Sequence, residues 1–270
     1  RRRMPAATIG FFLHTPFPAS DVFRIEPWRE QILRGLLGAD RIGFHTAAYR
    51  HNFVSSAAHV LGIDPDVDAV VHDGRRVELG VHPVGIDAGR FASLAADAGV
   101  QAEAQRIRAE ARGRRIVLGI DRLDYTKGLL RRLLAIERFL EKESALRHDV
   151  RFIQLAVPTR EKVEAYAEFR RGVNELVGRI NSQYGSATGS PIQLLYRSVD
   201  ADDLLALYRA ADVMLVTPLR DGMNLVAKEY VAARTDEEGV LVLSEFAGAA
   251  SELDAALIVW WNLCPTRVVT

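Results

Sequence analysis

Residues 213–229 read VMLVTPLRDGMNLVAKE and contain, in order, an apolar run, a polar loop and the start of a helical pattern. The run 213–217 is apolar almost throughout, which is typical of a strand buried on both faces. Helical spacing of apolar residues continues over 223–233. Gly222, in the loop between them, permits close approach of the backbone to a ligand. This order indicates one strand-loop-helix unit of a parallel sheet covered by helices.

The same alternation extends along the chain from residue 87 onward. It predicts about six strands, which is enough for a complete doubly wound domain. The predicted strands are 115–120, 151–157, 192–196, 213–217, 240–244 and 257–259, and the predicted helices are 88–111, 128–142, 160–179, 201–209 and 223–233.

Upstream of residue 87 the strand patterns are fewer. They are strands 9–13, 41–45 and 81–84, a hairpin over 67–79, and helices 28–37 and 47–61. Glycine, proline and aspartate cluster near Gly85 and Gly89, as at a domain boundary. The sequence therefore predicts an α/β protein with two Rossmann-like parallel-sheet domains, 1–86 and 87–270, of which the first is incomplete.

Composition argues against several classes of protein. Hydrophobic residues make up 49% of the 270, which favours a globular core over disorder. Lysine plus arginine and aspartate plus glutamate both number 35, so a basic footprint for nucleic acid is absent and no nucleic-acid partner is expected. No segment approaches the ~18 apolar residues of a membrane span, so no membrane partner is expected.

Cysteine and histidine usage argues against a metal site. The single cysteine, Cys264, excludes a disulfide framework and a cysteine metal cluster, and the histidines show no ligand spacing. The apolar run 9–13, behind the basic residues 1–3, is too short for a secretory signal. One cysteine suits a reducing compartment, and we expect a cytoplasmic protein.

The loop after strand 115–120 carries two cations. It reads DRLDYTKG over residues 121–128 and opens a helix, and Arg122 and Lys127 lie five positions apart in it. A helix start favours anions, so two cations beside it suit a diphosphate. The alternative is that both cations pair with Asp121 and Asp124 on the surface.

The loop after strand 213–217 suits a sugar. Asp221 is an acceptor for sugar hydroxyls, and the N–H groups of Met223, Asn224 and Leu225 are the free donors of a helix start. Glu229, two turns into the helix, is placed to bind a ribose diol. The alternative is that Asp221 only caps this helix and Glu229 is a surface residue.

Two further strand ends carry candidate residues. His14 follows strand 9–13 and precedes a stiff Pro-Phe-Pro turn, which can direct it into a cleft; the alternative is a packed or surface histidine. Arg160 follows strand 151–157, where an arginine can bind phosphate; the alternative is a solvated side chain.

Together these motifs resemble glycosyltransferase family 20, the trehalose-6-phosphate synthases, over about residues 8–259. The stretches that carry the resemblance are 9–18 (IGFFLHTPFP), 36–40 (LLGAD), 43–45 (GFH), 121–128, 178–185 (GRINSQYG), 217–230 and 243–250 (LSEFAGAA). The resemblance implies a GT-B-type fold and retaining transfer of glucose from a nucleoside-diphosphate glucose to glucose 6-phosphate. The product would be α,α-trehalose 6-phosphate, formed without a metal or other cofactor.

The resemblance also implies roles for individual residues. Arg122 and Lys127 would bind the donor diphosphate and, with Asp221, form the catalytic set. The remaining donor-binding positions are His14 for the glucosyl 6-hydroxyl, Glu229 for the ribose hydroxyls, and Asp221, Gly222, Met223, Asn224 and Leu225 for the glucosyl hydroxyls and phosphate. Arg160 would help to bind the acceptor phosphate.

Alternatives stay open within and beyond this family. The family pattern starts before the His14 motif, and residues 260–266 depart from it, so we expect a fragment that lacks both chain ends. Other readings are a glucosylglycerol-phosphate synthase, a cyclitol pseudo-glycosyltransferase, or an inactive remnant that binds the donor. The nucleotide base and the oligomeric state cannot be read from the sequence, and a homo-oligomer is compatible with it.

Overall fold

Contacts within the chain divide it into two units, one ending at Val84 and the other beginning at Gly85. The sequence pattern puts its domain boundary two residues later. The computed structural model describes residues 6–64, 66, 68–160, 163–187 and 189–259. Cys264, the basic residues 1–3 and the departing stretch 260–266 lie outside the described residues.

The first unit is built on a mixed sheet. Its strands are β1 (Gly10–Leu13), β2 (Arg41–Phe44), β3 (Ala69–His72) and β4 (Arg75–Val81), in the order β1-β2-β4-β3. β1, β2 and β4 run parallel, and β3 pairs antiparallel with β4 through a tight turn at Asp73 and Gly74. β4 already contains Val81, so the separate strand predicted at 81–84 does not form; Pro83 cannot donate to a ladder.

Helices α1 (Ser20–Phe23), α2 (Arg29–Leu36) and α3 (Ala47–Leu61) complete the first unit. α3 begins at Thr46, whose hydroxyl accepts a hydrogen bond from the N–H of Tyr49, and it ends at Gly62 in the left-handed conformation. Their apolar faces and the sheet enclose a core that includes Leu33, Phe44 and other fully buried side chains. His14 follows β1 directly.

The second unit is built on a parallel sheet. Its strands are β5 (Arg115–Arg122), β6 (Val150–Val157), β7 (Ile192–Leu195), β8 (Val213–Val216), β9 (Val240–Ser244) and β10 (Leu257–Val259), in the order β10-β9-β8-β5-β6-β7. The chain runs outward from β5 to β7, then returns to β8 and runs outward to β10. β5 and β8 are therefore neighbours at the topological switch point, where open α/β sheets bind their ligands.

Helices cover both faces of this sheet. They are α4 (Ala88–Ala95), α5 (Ala98–Glu110), α6 (Leu129–Lys142), α7 (Glu164–Tyr184), α8 (Ala201–Ala210) and α9 (Leu225–Ala233). The side chains of Leu118 and Ile120 on β5 belong to the core beneath α5, α8 and α9, whereas Val117 packs into the core beneath α6 and α7. This alternation explains why the strands are apolar along their whole length.

Several helix boundaries differ from the sequence pattern. The predicted helix 88–111 is broken between α4 and α5, because the carboxylate of Asp97 accepts the N–H of Gly99 and starts a new helix. α7 begins at Glu164 rather than at residue 160, and α9 begins at Leu225 rather than at residue 223. The last difference matters for the site, because it leaves two more loop residues before the helix.

We expect Leu118→Ala to lower the free energy of unfolding by about 2–5 kcal/mol, because it opens a cavity at a fully buried position on the central strand. Leu134→Ala on α6 is the matched control, since this side chain is 49% exposed, and it should cost about 0.5 kcal/mol or less. Urea unfolding followed by circular dichroism measures both. Equal losses for the two variants would contradict the assignment of Leu118 to the core.

Candidate active site

The loops that follow β5 and β8 are joined into one structure. The carbonyl of Thr126 in the first loop accepts the N–H groups of Leu219 (2.8 Å) and Arg220 (3.3 Å) in the second. Gly128 ends the first loop with φ +71°, and a Cβ there would lie 2.6 Å from the carbonyl oxygen of Thr217. Glycine is therefore required at this position for its conformation and for the close approach of the loops.

The first loop is shaped by its own aspartate. One carboxylate oxygen of Asp124 accepts hydrogen bonds from the N–H (2.9 Å) and the hydroxyl (2.8 Å) of Thr126, which starts a single 3-10 turn over Tyr125–Lys127. Burial by itself would raise the pKa of the Asp124 carboxyl. The hydrogen bonds from Thr126 and the positive charges of Arg122 and Lys127 outweigh it and leave the pKa below its usual value. Asp124 is thus committed to shaping the loop that presents Lys127.

The second loop is shaped by Asn224. This residue adopts φ +74°, and its side-chain oxygen accepts the N–H of Ala227 at 3.1 Å, so it is the N-cap of α9. Its amide nitrogen donates to Asp221 Oδ2 at 3.0 Å. The reading in which Asp221 only caps the helix is therefore wrong, because Asn224 performs that task and also orients Asp221.

Lys127 and Asp221 bring the two loops together chemically. Lys127 Nζ lies 2.6 Å from Asp221 Oδ2, and the two side chains are only 13% and 14% exposed. The surface pairing of Lys127 with Asp121 or Asp124, the alternative for this loop, does not occur. A cation suited to phosphate and a carboxylate suited to sugar hydroxyls thus lie in contact at the switch point.

A third segment, 244–249, supports the second loop from the next strand. The N–H of Asp221 donates to Phe246 O, and the N–H groups of Gly248 and Ala249 donate to Asp221 O and Met223 O. A Cβ on Gly248 would lie 2.1 Å from the carbonyl oxygen of Gly222, so the two backbones are in direct contact. Sequence reasoning noted this segment only as part of a motif. The small residues of this segment are the sequence pattern from which close packing could have been predicted.

Beneath the loops lies a buried ion pair that the sequence reasoning missed. Arg132 on α6 donates to Asp121 (2.6 Å) at the end of β5, to Gln154 (2.9 Å) on β6 and to the hydroxyl of Thr217 (2.8 Å) after β8. Arg132 and Asp121 are each 2% exposed. Burial raises the pKa of the Asp121 carboxyl, while the charge and hydrogen bond of Arg132 act in the opposite direction. This network joins the ends of β5 and β8 to the middle of β6.

The other residues of the second unit that are predicted to bind the glycosyl donor lie in or beside these two loops. Arg122 ends β5 and is exposed, and its guanidinium makes no hydrogen bond or ion pair to the side chain of another described residue. Gly222 and Met223 are buried in the second loop, and Leu225 is the first residue of α9. Glu229, half-buried on α9, accepts a hydrogen bond from the hydroxyl of Tyr208 at 2.9 Å. No pattern in the sequence predicts that Tyr208 contacts Glu229.

Arg160 is connected to the first loop. It is exposed, has a φ of +47°, and donates to the hydroxyl of Tyr166 at 2.9 Å. The Tyr166 hydroxyl in turn lies 3.4 Å from Asp124 Oδ2. The arginine is therefore not simply solvated, because a chain of polar contacts orders it beside the loop that carries Lys127.

His14 belongs to the first unit. Its ring is exposed and lies 4.8 Å from the ring of Phe12 and 5.5 Å from that of His45, measured between centroids. These contacts order the imidazole at the carboxyl end of β1. Its predicted role toward a glucosyl hydroxyl stays a prediction.

Neither metal ligation nor a membrane span is seen in the part of the chain that the structure describes. Within it, no group of three or more His, Cys, Asp or Glu side chains is arranged so that it could hold a metal ion. None of its helices is both long and apolar enough to cross a bilayer.

Comparison with known proteins agrees with this geometry. The model of glycosyltransferase family 20 matches residues 1–265. The chain belongs to this family. Among its relatives, the UDP-forming alpha,alpha-trehalose-phosphate synthase A of Dictyostelium discoideum is 44% identical over 97% of this chain and 36% of its own length. The trehalose-6-phosphate synthase of Mycobacterium leprae is 46% identical over 94% of this chain and 53% of its own length.

Solved structures of the family share the fold. The crystal structure of a UDP-forming alpha,alpha-trehalose-phosphate synthase from Burkholderia xenovorans matches with a TM-score of 0.89 and 39% identity, over 96% of this chain and 58% of that one. This likeness confirms the predicted GT-B-type α/β fold with Rossmann-like parallel sheets. The chain spans between about one third and three fifths of the family members named here.

We expect Arg132→Met to lower the free energy of unfolding by about 3–5 kcal/mol, because it leaves the Asp121 carboxylate buried without its partner. The neighbouring Arg131→Met is the matched control, since Arg131 is exposed on the same helix, and its cost should stay within about 0.5 kcal/mol. Chemical unfolding measures both. A loss for Arg132→Met as small as that of the control would contradict the buried network.

Proposed function

We propose that this chain holds the donor site of a retaining glycosyltransferase that moves glucose from a nucleoside-diphosphate glucose to glucose 6-phosphate and forms α,α-trehalose 6-phosphate. The observation that carries the proposal is the contact between Lys127 and Asp221 across two loops at the switch point. It joins a phosphate-binding cation to a sugar-binding carboxylate at the position where open α/β sheets bind ligands.

The names of relatives support the choice of substrates. Trehalose-phosphate synthases described as UDP-forming are similar to nearly the whole of this chain. One solved family member from Burkholderia xenovorans contains glucose 6-phosphate, and one from E. coli contains UDP-2-fluoro glucose. We therefore propose UDP-glucose as the donor and glucose 6-phosphate as the acceptor.

Lys127 and Arg122 would bind the donor diphosphate. An ammonium group carries three donor hydrogens, and Lys127 directs one of them to Asp221, so the others can reach a phosphate oxygen. Arg122 contributes an exposed guanidinium that can bind phosphate in a bidentate manner. The backbone from Gly222 to Leu225, which leads into the N-terminus of α9, adds N–H donors for the same anion.

Asp221 would bind the glucosyl group. Lys127 and Asn224 both donate to its Oδ2, so the carboxylate is held in one orientation before the sugar arrives. A prepositioned acceptor of this kind binds sugar hydroxyls without a further ordering cost. Glu229, on the same helix, would accept the ribose hydroxyls.

The transfer would proceed on one face of the sugar. The bond between the anomeric carbon and the diphosphate oxygen breaks, the acceptor hydroxyl forms the new bond from the same side, and its proton passes to the departing phosphate oxygen. Arg122 and Lys127 stabilise the negative charge that grows on that phosphate. We propose that these cations make a metal or other cofactor unnecessary.

Arg160 would serve the acceptor, and His14 would serve the donor. Arg160 is ordered by Tyr166 beside the first loop and would contact the acceptor phosphate, and His14 would contact the glucosyl 6-hydroxyl. We place the protein in the cytoplasm, in keeping with its single cysteine. Self-association is compatible with this proposal.

A second candidate function is donor binding without transfer. It is favoured by the placement of the proposed donor residues, His14 apart, within the second unit. Donor binding and transfer can be measured separately, and a glucosylglycerol-phosphate synthase would differ from the leading proposal in its acceptor.

We expect the 270-residue chain to bind UDP-glucose in a calorimetric titration, and to bind it more tightly than ADP-glucose and GDP-glucose. Glucose 6-phosphate and glycerol 3-phosphate are then supplied in turn, and trehalose 6-phosphate or glucosylglycerol phosphate is detected by mass spectrometry. Donor binding without either product supports the second candidate. Absence of binding by all three nucleotide sugars would overturn the donor site itself.

We expect Arg122→Ala to weaken binding of UDP by about tenfold or more, because it removes a charge-assisted contact worth roughly 1.5–3 kcal/mol. The fold should be unaffected, since Arg122 is exposed and its side chain makes no hydrogen bond to the side chain of another described residue. Arg131→Ala, which removes an exposed arginine in the first turn of α6, is the control and should bind UDP as the wild type does. Unchanged affinity in Arg122→Ala would remove this residue from the site.

A further inference from the structure

One buried hydroxyl contacts the donor site from inside the core. Tyr208 on α8 is fully buried, and its hydroxyl donates to Glu229 Oε2 on α9 at 2.9 Å. Glu229 is half-buried, and Oε2 of its carboxylate is held by a residue of the core. In the described part of the chain, this is the hydrogen bond that Glu229 makes through its side chain.

The tyrosine can only act as a donor here. Burial, and after it the negative charge of Glu229 and the hydrogen bond to it, raise the pKa of the Tyr208 hydroxyl well above its usual value. The shift favours the protonated phenol, which donates to Glu229. Its ring is held by the apolar core and lies edge-on to the ring of Tyr230, with 6.2 Å between centroids. The hydroxyl therefore has a fixed position, and its hydrogen bond restrains the flexible side chain of Glu229.

We propose that Tyr208 is a positioning residue that fixes the Glu229 carboxylate to accept the ribose hydroxyls of the donor, and so makes the site selective for ribonucleotides over 2′-deoxyribonucleotides. This inference rests on the proposed function, in which Glu229 contacts the ribose. A free glutamate side chain samples several rotamers, and fixing it before the ligand binds removes that entropic cost. One carboxylate offers about four lone-pair positions, and Tyr208 occupies one of them, which leaves acceptors for a diol.

The test compares UDP with 2′-deoxy-UDP on the 270-residue chain by calorimetry. The wild type should prefer UDP. Tyr208→Phe removes only the hydroxyl and should weaken UDP binding by about three- to tenfold, while 2′-deoxy-UDP changes much less. The ratio of the two dissociation constants should therefore fall. A purely structural effect of the substitution would shift both ligands equally and leave the ratio unchanged.

Tyr230→Phe is the matched control. Tyr230 lies in the same core, next to Tyr208, and its buried hydroxyl makes no hydrogen bond to another described residue. Removal of that hydroxyl should leave both affinities and their ratio as in the wild type. Thermal unfolding of each variant verifies that the folded state is retained.

The outcomes separate this inference from the proposed function. If UDP binds but Tyr208→Phe keeps the wild-type ratio, Tyr208 does not position the glutamate and the inference is overturned, while the donor site stands. If the wild type binds UDP and 2′-deoxy-UDP equally, selectivity for ribose is absent and the inference is again overturned. If the wild type binds neither ligand, the donor site is wrong, and the inference is overturned with it.

Discussion

The buried guanidinium of Arg132 joins the ends of the strands on which the site is built. It contacts Asp121 after β5, Gln154 on β6 and Thr217 after β8. A charge placed in a core must be paired and hydrogen-bonded, so these three partners are held in one arrangement. Asp121 and Thr217 lie next to the loops that follow β5 and β8, so their fixed positions also fix where these loops start. The close approach at Gly128 is possible only when both strand ends lie where Arg132 holds them.

A second ion pair lies above this network, between the loops. Arg132 pairs with Asp121, and Lys127 pairs with Asp221, so the cations of the two pairs are neutralised by the protein itself. The excess positive charge needed for a diphosphate must then come from elsewhere. In the proposed site, Arg122 would supply it, together with the N-terminus of α9. With Arg122 and α9 supplying the excess charge, Lys127 would be able to orient the Asp221 carboxylate and still contribute to phosphate binding.

The sequence predicted the parts of the site but not how they are joined. Continuous apolar strands and helical spacing located both loops, and Arg122, Lys127 and Asp221 were recognised from their positions at strand ends. The contact between Lys127 and Asp221 spans 94 positions and depends on β5 and β8 being neighbours, which the order of strands along the chain does not reveal.

Individual side chains were harder to predict, for a related reason. Arg131 and Arg132 are adjacent and identical in type, yet one is exposed and the other buried, because successive helical residues point about 100° apart. The helical pattern alone cannot say which of two arginines finds a carboxylate at a strand end. For Asn224 the sequence predicted only a backbone N–H donor at the helix start, and the pattern did not show that its side chain caps the helix. Tyr208 looks like any core aromatic until α9 is packed against α8.

Donor recognition is concentrated in the second unit. The residues proposed for the diphosphate, the ribose and most of the glucosyl group follow from β5, β8 and α9, and only His14 comes from the first unit. Their supports, Arg132, Tyr208 and Gly248, also belong to the second unit and lie in its core or between its loops. A donor site of this construction needs no residue of the acceptor side to take its shape. In the proposed function, binding of the nucleotide sugar would therefore be separable from transfer, and buried contacts would set the selectivity of that binding together with the loops.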